Sequence, residues 1–177
     1  MRIIAGELKS RQFVSPRGRK THPMSEKARG ALFNMLGDIT ELTMLDAFGG
    51  SGALSFEAIS RGARFVYCID SDKKAYKVIS ENVEKLGIED RVKATIANVS
   101  SWADNNRELM FDIIVCDPPY NDLRVNLLQK LVDHLEPQGL FVLSWPSQFD
   151  VPEFTGLTLT TKRNYAGLTL AFFRRSR

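Results

Sequence analysis

Apolar residues along this chain come in two alternating arrangements, short unbroken runs and wider-spaced faces. The runs Thr43-Met44-Leu45-Asp46-Ala47-Phe48, Phe65-Val66-Tyr67-Cys68-Ile69, Val92-Lys93-Ala94-Thr95-Ile96, Phe111-Asp112-Ile113-Ile114-Val115-Cys116 and Leu140-Phe141-Val142-Leu143 read as strands. Helices fall between them. Ser25 is the expected N-cap of the first, whose apolar face is Ala28, Ala31, Leu32, Met35 and Leu36 and whose stop is Gly37. A second runs from Ala53 through Ile59 and stops at Arg61-Gly62, and a third spans Lys73 to Leu86 with Gly87 beyond it. A short polar helix around Trp102 and a helix over Val125 to Leu135 follow, then a turn at Pro137-Gln138-Gly139. Leu157 to Lys162 and Leu168 to Phe173 read as an antiparallel pair joined around Asn164-Tyr165-Ala166-Gly167. The alternation predicts an α/β fold, a doubly wound and mainly parallel seven-stranded sheet finished by the antiparallel pair.

Residues 1–22 lack sustained periodicity beyond Ile3, Ile4, Leu8, Phe13 and Val14, and predict a hairpin or an arm lying on the domain. The expected organisation is therefore a basic N-terminal extension over 1–24 and a Rossmann-like domain over 25–177. At 177 residues the chain suffices for one well-buried domain. Its 44% hydrophobic and 25% charged content are those of an ordinary soluble protein. No apolar stretch is long enough to span a membrane, and the first residues lack the apolar core of a secretion signal. Cys68 and Cys116 lie within apolar runs and read as buried thiols, and the scattered Cys and His give no metal-site spacing. A cytoplasmic, metal-free protein is expected.

The net charge of +3 is unevenly placed. Residues 1–29 carry eight Lys or Arg against Glu7 and Glu26, whereas the remainder holds sixteen basic and nineteen acidic side chains. Arg11, Arg17, Arg19, Lys20, His22 and Arg29 are the candidates for contact with nucleic-acid phosphates, where cations gain affinity by displacing condensed counterions. A solubilising N-terminus is the plainer alternative.

Two motifs carry candidate chemistry. Asp117-Pro118-Pro119-Tyr120 closes a buried strand, and the prolines hold a carboxylate, two carbonyls and an aromatic ring at its C-terminal edge, where ligands bind in open α/β sheets. These groups suit a planar base with an exocyclic amine: the Asp117 carboxylate and Pro118 carbonyl accept its hydrogens and Tyr120 stacks on its face. Upstream, Asp46, the loop Gly49-Gly50-Ser51-Gly52, a helix and a strand ending in Asp70 form a unit for an adenosine-containing cofactor. The dinucleotide fingerprint G-x-G-x-x-G fails, since counting from Gly50 puts Ser55 at the third glycine. Asp46 before the loop disfavours a pyrophosphate and suits an amino group. The combination points to S-adenosyl-L-methionine.

With these motifs placed, the chain resembles class I S-adenosylmethionine-dependent methyltransferases, and within them the RsmD family, which methylates the exocyclic N2 of one guanine in 16S ribosomal RNA. The likeness rests on Met1-Arg2-Ile3-Ile4-Ala5-Gly6, Thr21-His22-Pro23, Arg29-Gly30-Ala31-Leu32-Phe33-Asn34, Gly50-Ser51-Gly52-Ala53-Leu54, Ser60-Arg61-Gly62-Ala63, Glu81-Asn82 and Asp117-Pro118-Pro119-Tyr120. It implies catalytic roles for Asp117, Pro118, Pro119 and Tyr120. It implies a cofactor site of Asp46, Phe48, Gly49, Gly50, Ser51, Gly52, Asp70, Asn98 and Asp117, with Asp46, Gly49 and Gly52 at the methionine end, Asp70 on the ribose and Asn98 near the adenine. It also implies 16S rRNA in an assembled or partly assembled small subunit as partner, and a monomeric enzyme. Departures from the family pattern include Asn98 for a usual Asp, His22 for Arg, Gly30 for Glu, and Ala166-Gly167-Leu168 where Gly-Asp-Thr is preferred. The competing readings are a DNA adenine or cytosine methyltransferase, a protein glutamine methyltransferase (for which Asn would be expected at 117), and a non-catalytic rRNA-binding assembly module.

Overall fold

Ser25 caps the first helix as its sequence position predicts: its hydroxyl accepts from the Ala28 N–H, and α1 runs Glu26–Leu36 before Gly37 turns the chain at φ 78°. The structure, a computed structural model, describes residues 1–16, 24–120, 122–165 and 167–176. It divides into two compact units, Met1–Asn98 and Val99–Arg177.

In the first unit β1 (Thr43–Asp46), β2 (Phe65–Asp70) and β3 (Val92–Ile96) are parallel, with β2 pairing both neighbours. Between them α2 (Ala53–Ser60) and α3 (Lys73–Leu86) make the crossovers. Asp72 caps α3 through the Lys74 N–H, and Gly87 ends it in the left-handed conformation. It buries Ala75, Ile79, Val83 and Leu86, which apolar periodicity marks, and also Asn82, while Val78 at the edge of that face is only partly buried.

All eight residues of α2 are buried, polar ones included. A helix enclosed on every side needs a cover over the face turned from its sheet, and the N-terminal segment supplies it. An antiparallel bridge joins Arg2 to Gln12, and Ile3 and Phe13 are buried. The Phe13 ring meets Phe56 edge-on at 5.1 Å. Ile4 N–H and Ala5 N–H donate to the Glu57 carboxylate at 2.8 and 3.2 Å, and Leu8 N–H donates to the Ser60 hydroxyl at 2.9 Å. Gly6 passes so close that a Cβ there would lie 1.6 Å from the Ser60 carbonyl oxygen, and its φ is 84°. Residues 1–16 are thus built into the first unit.

In the second unit α4 (Val99–Asn105) precedes β4 (Phe111–Cys116), and α5 (Val125–Val132) buries Leu127, Leu128, Leu131 and Val132. β5 (Leu135–Pro146) pairs β4 in parallel and β7 (Leu168–Arg175) antiparallel, and β6 (Leu157–Tyr165) closes the hairpin on β7. Phe141, Phe154 and Phe173 pack there with ring centroids 5.3–6.2 Å apart.

One boundary differs from the sequence reading. The helix expected to reach Leu135 ends at Val132, because Leu135 is already paired with Phe111 as the first residue of β5. His134 pins the transition: its Nδ1 lies 2.9 Å from the Leu109 carbonyl, its ring packs 5.1 Å from Trp102, and its own carbonyl accepts from Phe111 N–H. Pro137-Gln138-Gly139 is an irregularity within the strand, with Gln138 at φ 64° and the register advancing from Leu135 to Leu140 against β4. Among the described residues no helix is long and apolar enough to cross a membrane.

Candidate active site

In the first unit β1 ends on Asp46, whose carboxylate is wholly buried and accepts from the Ser55 hydroxyl at 2.7 Å. Ser55, the residue that breaks the dinucleotide fingerprint, is therefore the group that fixes the acid before the loop. Cys68 Sγ lies 4.0 Å from the same oxygen. Burial first, and then the charge of Asp46, push its thiol well above the usual range, so it is an inert neighbour and not a nucleophile.

The glycines of the loop answer to packing as much as to a ligand. A Cβ at Gly49 would sit 2.5 Å from Cys68 Sγ, and one at Gly52 2.5 Å from the Phe56 ring. Gly50 and Gly52 take φ of 55° and 77°, and Gly52 opens α2 with no side-chain cap. The loop is closed by Gly49 N–H to the Ile69 carbonyl and Gly52 N–H to the Gly49 carbonyl, both 2.7 Å. Asp70 at the end of β2 accepts from Gly50 N–H and Asp72 N–H, also at 2.7 Å. Each of its oxygens keeps a further lone pair for a hydroxyl. Register places Ile96 level with Asp70, and Ile96 and Asn98 are both exposed beyond it. Phe48 is half-buried and Ser51 buried. A loop without side chains, an acid with further lone pairs at the end of β2, and exposed Ile96 level with it and Asn98 beyond fit a nucleoside ligand, whereas the Asp46 carboxylate is itself wholly buried before the loop's start.

In the second unit β4 delivers Asp117, Pro118, Pro119 and Tyr120. Asp117 is partly buried and Pro118 buried, whereas Pro119 and Tyr120 are exposed, Tyr120 to 45%. Burial pushes the Asp117 carboxyl up to about 6, against a hydrogen bond from Ser144 that lowers it. The Tyr120 hydroxyl lies 3.1 Å from Ser144 Oγ. Burial raises its phenol, the Ser144 bond opposes this, and the charge of Asp117 adds to the rise, so the phenol stays protonated. Ser144 is wholly buried and was not a sequence candidate. Its signal was the strand pairing: Cys116 faces Leu143, so one step further in each parallel strand brings Asp117 level with Ser144.

The basic candidates separate. Arg11 is exposed, and its guanidinium donates to the Lys85 carbonyl at 3.1 Å. Arg17, Arg19, Lys20 and His22 lie outside the described residues. Arg29, expected to face RNA, is in the interior with 0% exposure. It donates to the Arg2 carbonyl at 2.7 Å and lies 3.6 Å from the Glu57 carboxylate, and desolvation depresses its pKa. A buried guanidinium cannot reach a phosphate, so Arg29 is part of the packing between α1, α2 and the N-terminal segment.

Comparison with solved structures defines the fold. The chain superposes on a putative methyltransferase, yhhF, from Escherichia coli with a TM-score of 0.89, covering 99% of this chain and 98% of that one at 24% identity. A putative methylase from Haemophilus influenzae matches at a TM-score of 0.83 over 99% and 98% of the two chains, with 22% identity. The fold is that of the class I methyltransferases.

Sequence narrows this. Residues 1–174 match the family described as conserved hypothetical protein 95. The putative rRNA methyltransferase YlbH of Bacillus subtilis is 33% identical over 96% of this chain and 95% of its own length. Ribosomal RNA small subunit methyltransferase D of Escherichia coli strain K12 is 30% identical over 78% and 68%. The chain belongs to this family, the RsmD family.

Proposed function

We propose that this methyltransferase transfers a methyl group from S-adenosyl-L-methionine to the exocyclic N2 of a guanine in 16S rRNA, in an assembled or partly assembled small ribosomal subunit. The observation that carries the reading is the Asp117 carboxyl beside Tyr120 at the end of β4, poised to change charge near pH 6. The relatives named as small-subunit rRNA methyltransferases support the substrate class.

When bound, S-adenosyl-L-methionine supplies an electrophilic methyl group on a sulfonium. Asp46 and the Gly49–Gly52 loop, with Phe48 and Ser51, would hold its amino-acid end, Asp70 its ribose and Asn98 its adenine. The amine of guanine is a poor nucleophile because its lone pair is delocalised into the ring. The Asp117 carboxylate and the Pro118 carbonyl accept its two N–H groups, which turns the lone pair out of conjugation. Orientation of this kind supplies much of a transfer's acceleration. Pro119 stiffens the turn, and Tyr120 stacks on the base, which must leave any helical stack to reach it. Asp117 then receives the proton the nitrogen sheds, a task suited to a group titrating near the working pH.

The test is transfer of labelled methyl to small subunits lacking the modification, followed by mass spectrometry of the nucleosides, with free 16S RNA, DNA and protein in parallel. N2-methylguanosine from the subunits is the expected product. Label appearing only in DNA or protein would overturn the assignment in favour of those substrates, and cofactor binding without transfer to any substrate would favour an assembly role.

A further inference from the structure

Resting on that reading, we infer that Ser144 is a positioning residue, a single buried hydroxyl that sets both the Asp117 carboxylate and the Tyr120 ring. Ser144 has 0% exposure near the C-terminal end of β5, surrounded in the strand by Leu143 and Trp145, which are also buried. A polar side chain there must be hydrogen-bonded or it costs stability. The pairing of Cys116 with Leu143 puts it level with Asp117, and its Oγ is 3.1 Å from the Tyr120 hydroxyl. A serine hydroxyl has one proton and two lone pairs. It can therefore donate to the ionised Asp117 while accepting from the protonated phenol of Tyr120.

This arrangement makes the acceptor of the amine and the platform for the base depend on one atom. Tyr120 is half outside the protein, and the bond at its tip is what restrains a ring that packing alone leaves exposed. The same hydroxyl favours the charged form of Asp117, the form that accepts an N–H and takes a proton. Burial and the Ser144 hydroxyl together set the Asp117 titration, and the Tyr120 phenol is the titratable neighbour that senses its charge. A serine retained only to fill space would move neither property.

The experiment is a carbon-13 NMR titration of the Asp117 carboxyl in the free protein, for the wild type, Ser144→Ala and Ser144→Thr, with pH profiles of kcat/KM for methyl transfer alongside. In Ser144→Ala the Asp117 titration moves to higher pH, and activity below pH 6 drops about tenfold for each unit of that movement. The KM for RNA rises several-fold as Tyr120 loses its anchor, while affinity for S-adenosylmethionine is unchanged. Ser144→Thr, which keeps the hydroxyl, returns both toward wild type. An Asp117 titration that does not move in Ser144→Ala would overturn the inference. Because that titration needs no substrate, it separates this failure from a failure of the proposed reaction, which would appear as an inactive wild type.

Discussion

A carboxyl group that ionises near pH 6 has consequences for both activity and stability at position 117. On the proposed mechanism the acid limb of kcat/KM should fall near that pH, since a protonated Asp117 could neither accept from the amine nor take its proton. Asp117→Asn should lower kcat by at least ~100-fold while leaving S-adenosylmethionine affinity near normal, as equilibrium binding and single-turnover assays would show. Stability moves the other way. The folded-state value of about 6 lies above the ordinary 3.8, so the folded protein retains a proton that the unfolded chain releases. The contribution of this group is fully present below about pH 4, is lost as pH rises through about 6, and changes no further above that. Asp117→Asn should therefore melt a few degrees above the wild type at pH 8, with the difference gone at pH 4. Gly49→Ala tests the loop: its Cβ would meet Cys68 Sγ at 2.5 Å, and a loss of ~1–3 kcal/mol in chemical denaturation is expected. The places of Asp117 and the glycines in the fold were legible because each is marked by its immediate neighbours, a strand end with two prolines and a strand-to-helix loop. Ser144 was not, because its partner Tyr120 is 24 residues away and nothing beside it in the chain marks it.

At the level of elements, α2 and the N-terminal segment form one structure. Glu57 joins them by accepting from Ile4, Ala5 and the Arg61 guanidinium and pairing with buried Arg29. Removing one partner of a buried ion pair strands the other charge, so Glu57→Ala should cost ~3–5 kcal/mol. The variant should also expose Lys9 and Arg11 to trypsin earlier than the rest of the chain, measured by limited digestion and mass spectrometry. Element order was readable from periodicity, and Ser25, Gly37 and Gly87 marked ends correctly because caps are local. The boundary after Val132 was missed because helical apolar spacing continues to Leu135, and the pairing of Leu135 with Phe111 decides the matter.

For the whole molecule, charge is the property that reaches furthest. Residues 1–29 concentrate eight basic side chains against two acidic ones, although Arg29 is withdrawn into the interior. Reversing Arg17, Arg19 and Lys20 to Glu should weaken RNA binding and flatten the slope of log K against log salt by ~1 for each phosphate no longer neutralised. A slope equal to that of the wild type in filter-binding titrations would remove these residues from the interface. The sequence by itself determined the alternation of strands and helices, the glycine loop between Asp46 and Asp70, and the strand-end tetrapeptide Asp117-Pro118-Pro119-Tyr120, since each depends on residues within a few positions of one another. Only the tertiary structure decided that Arg29 is interior, that residues 1–16 cover α2, and that Ser144 meets Tyr120. Those outcomes rest on burial and on pairings between residues 24 to 53 positions apart, and hydrophobic spacing along one segment carries no information about which distant segment will cover it.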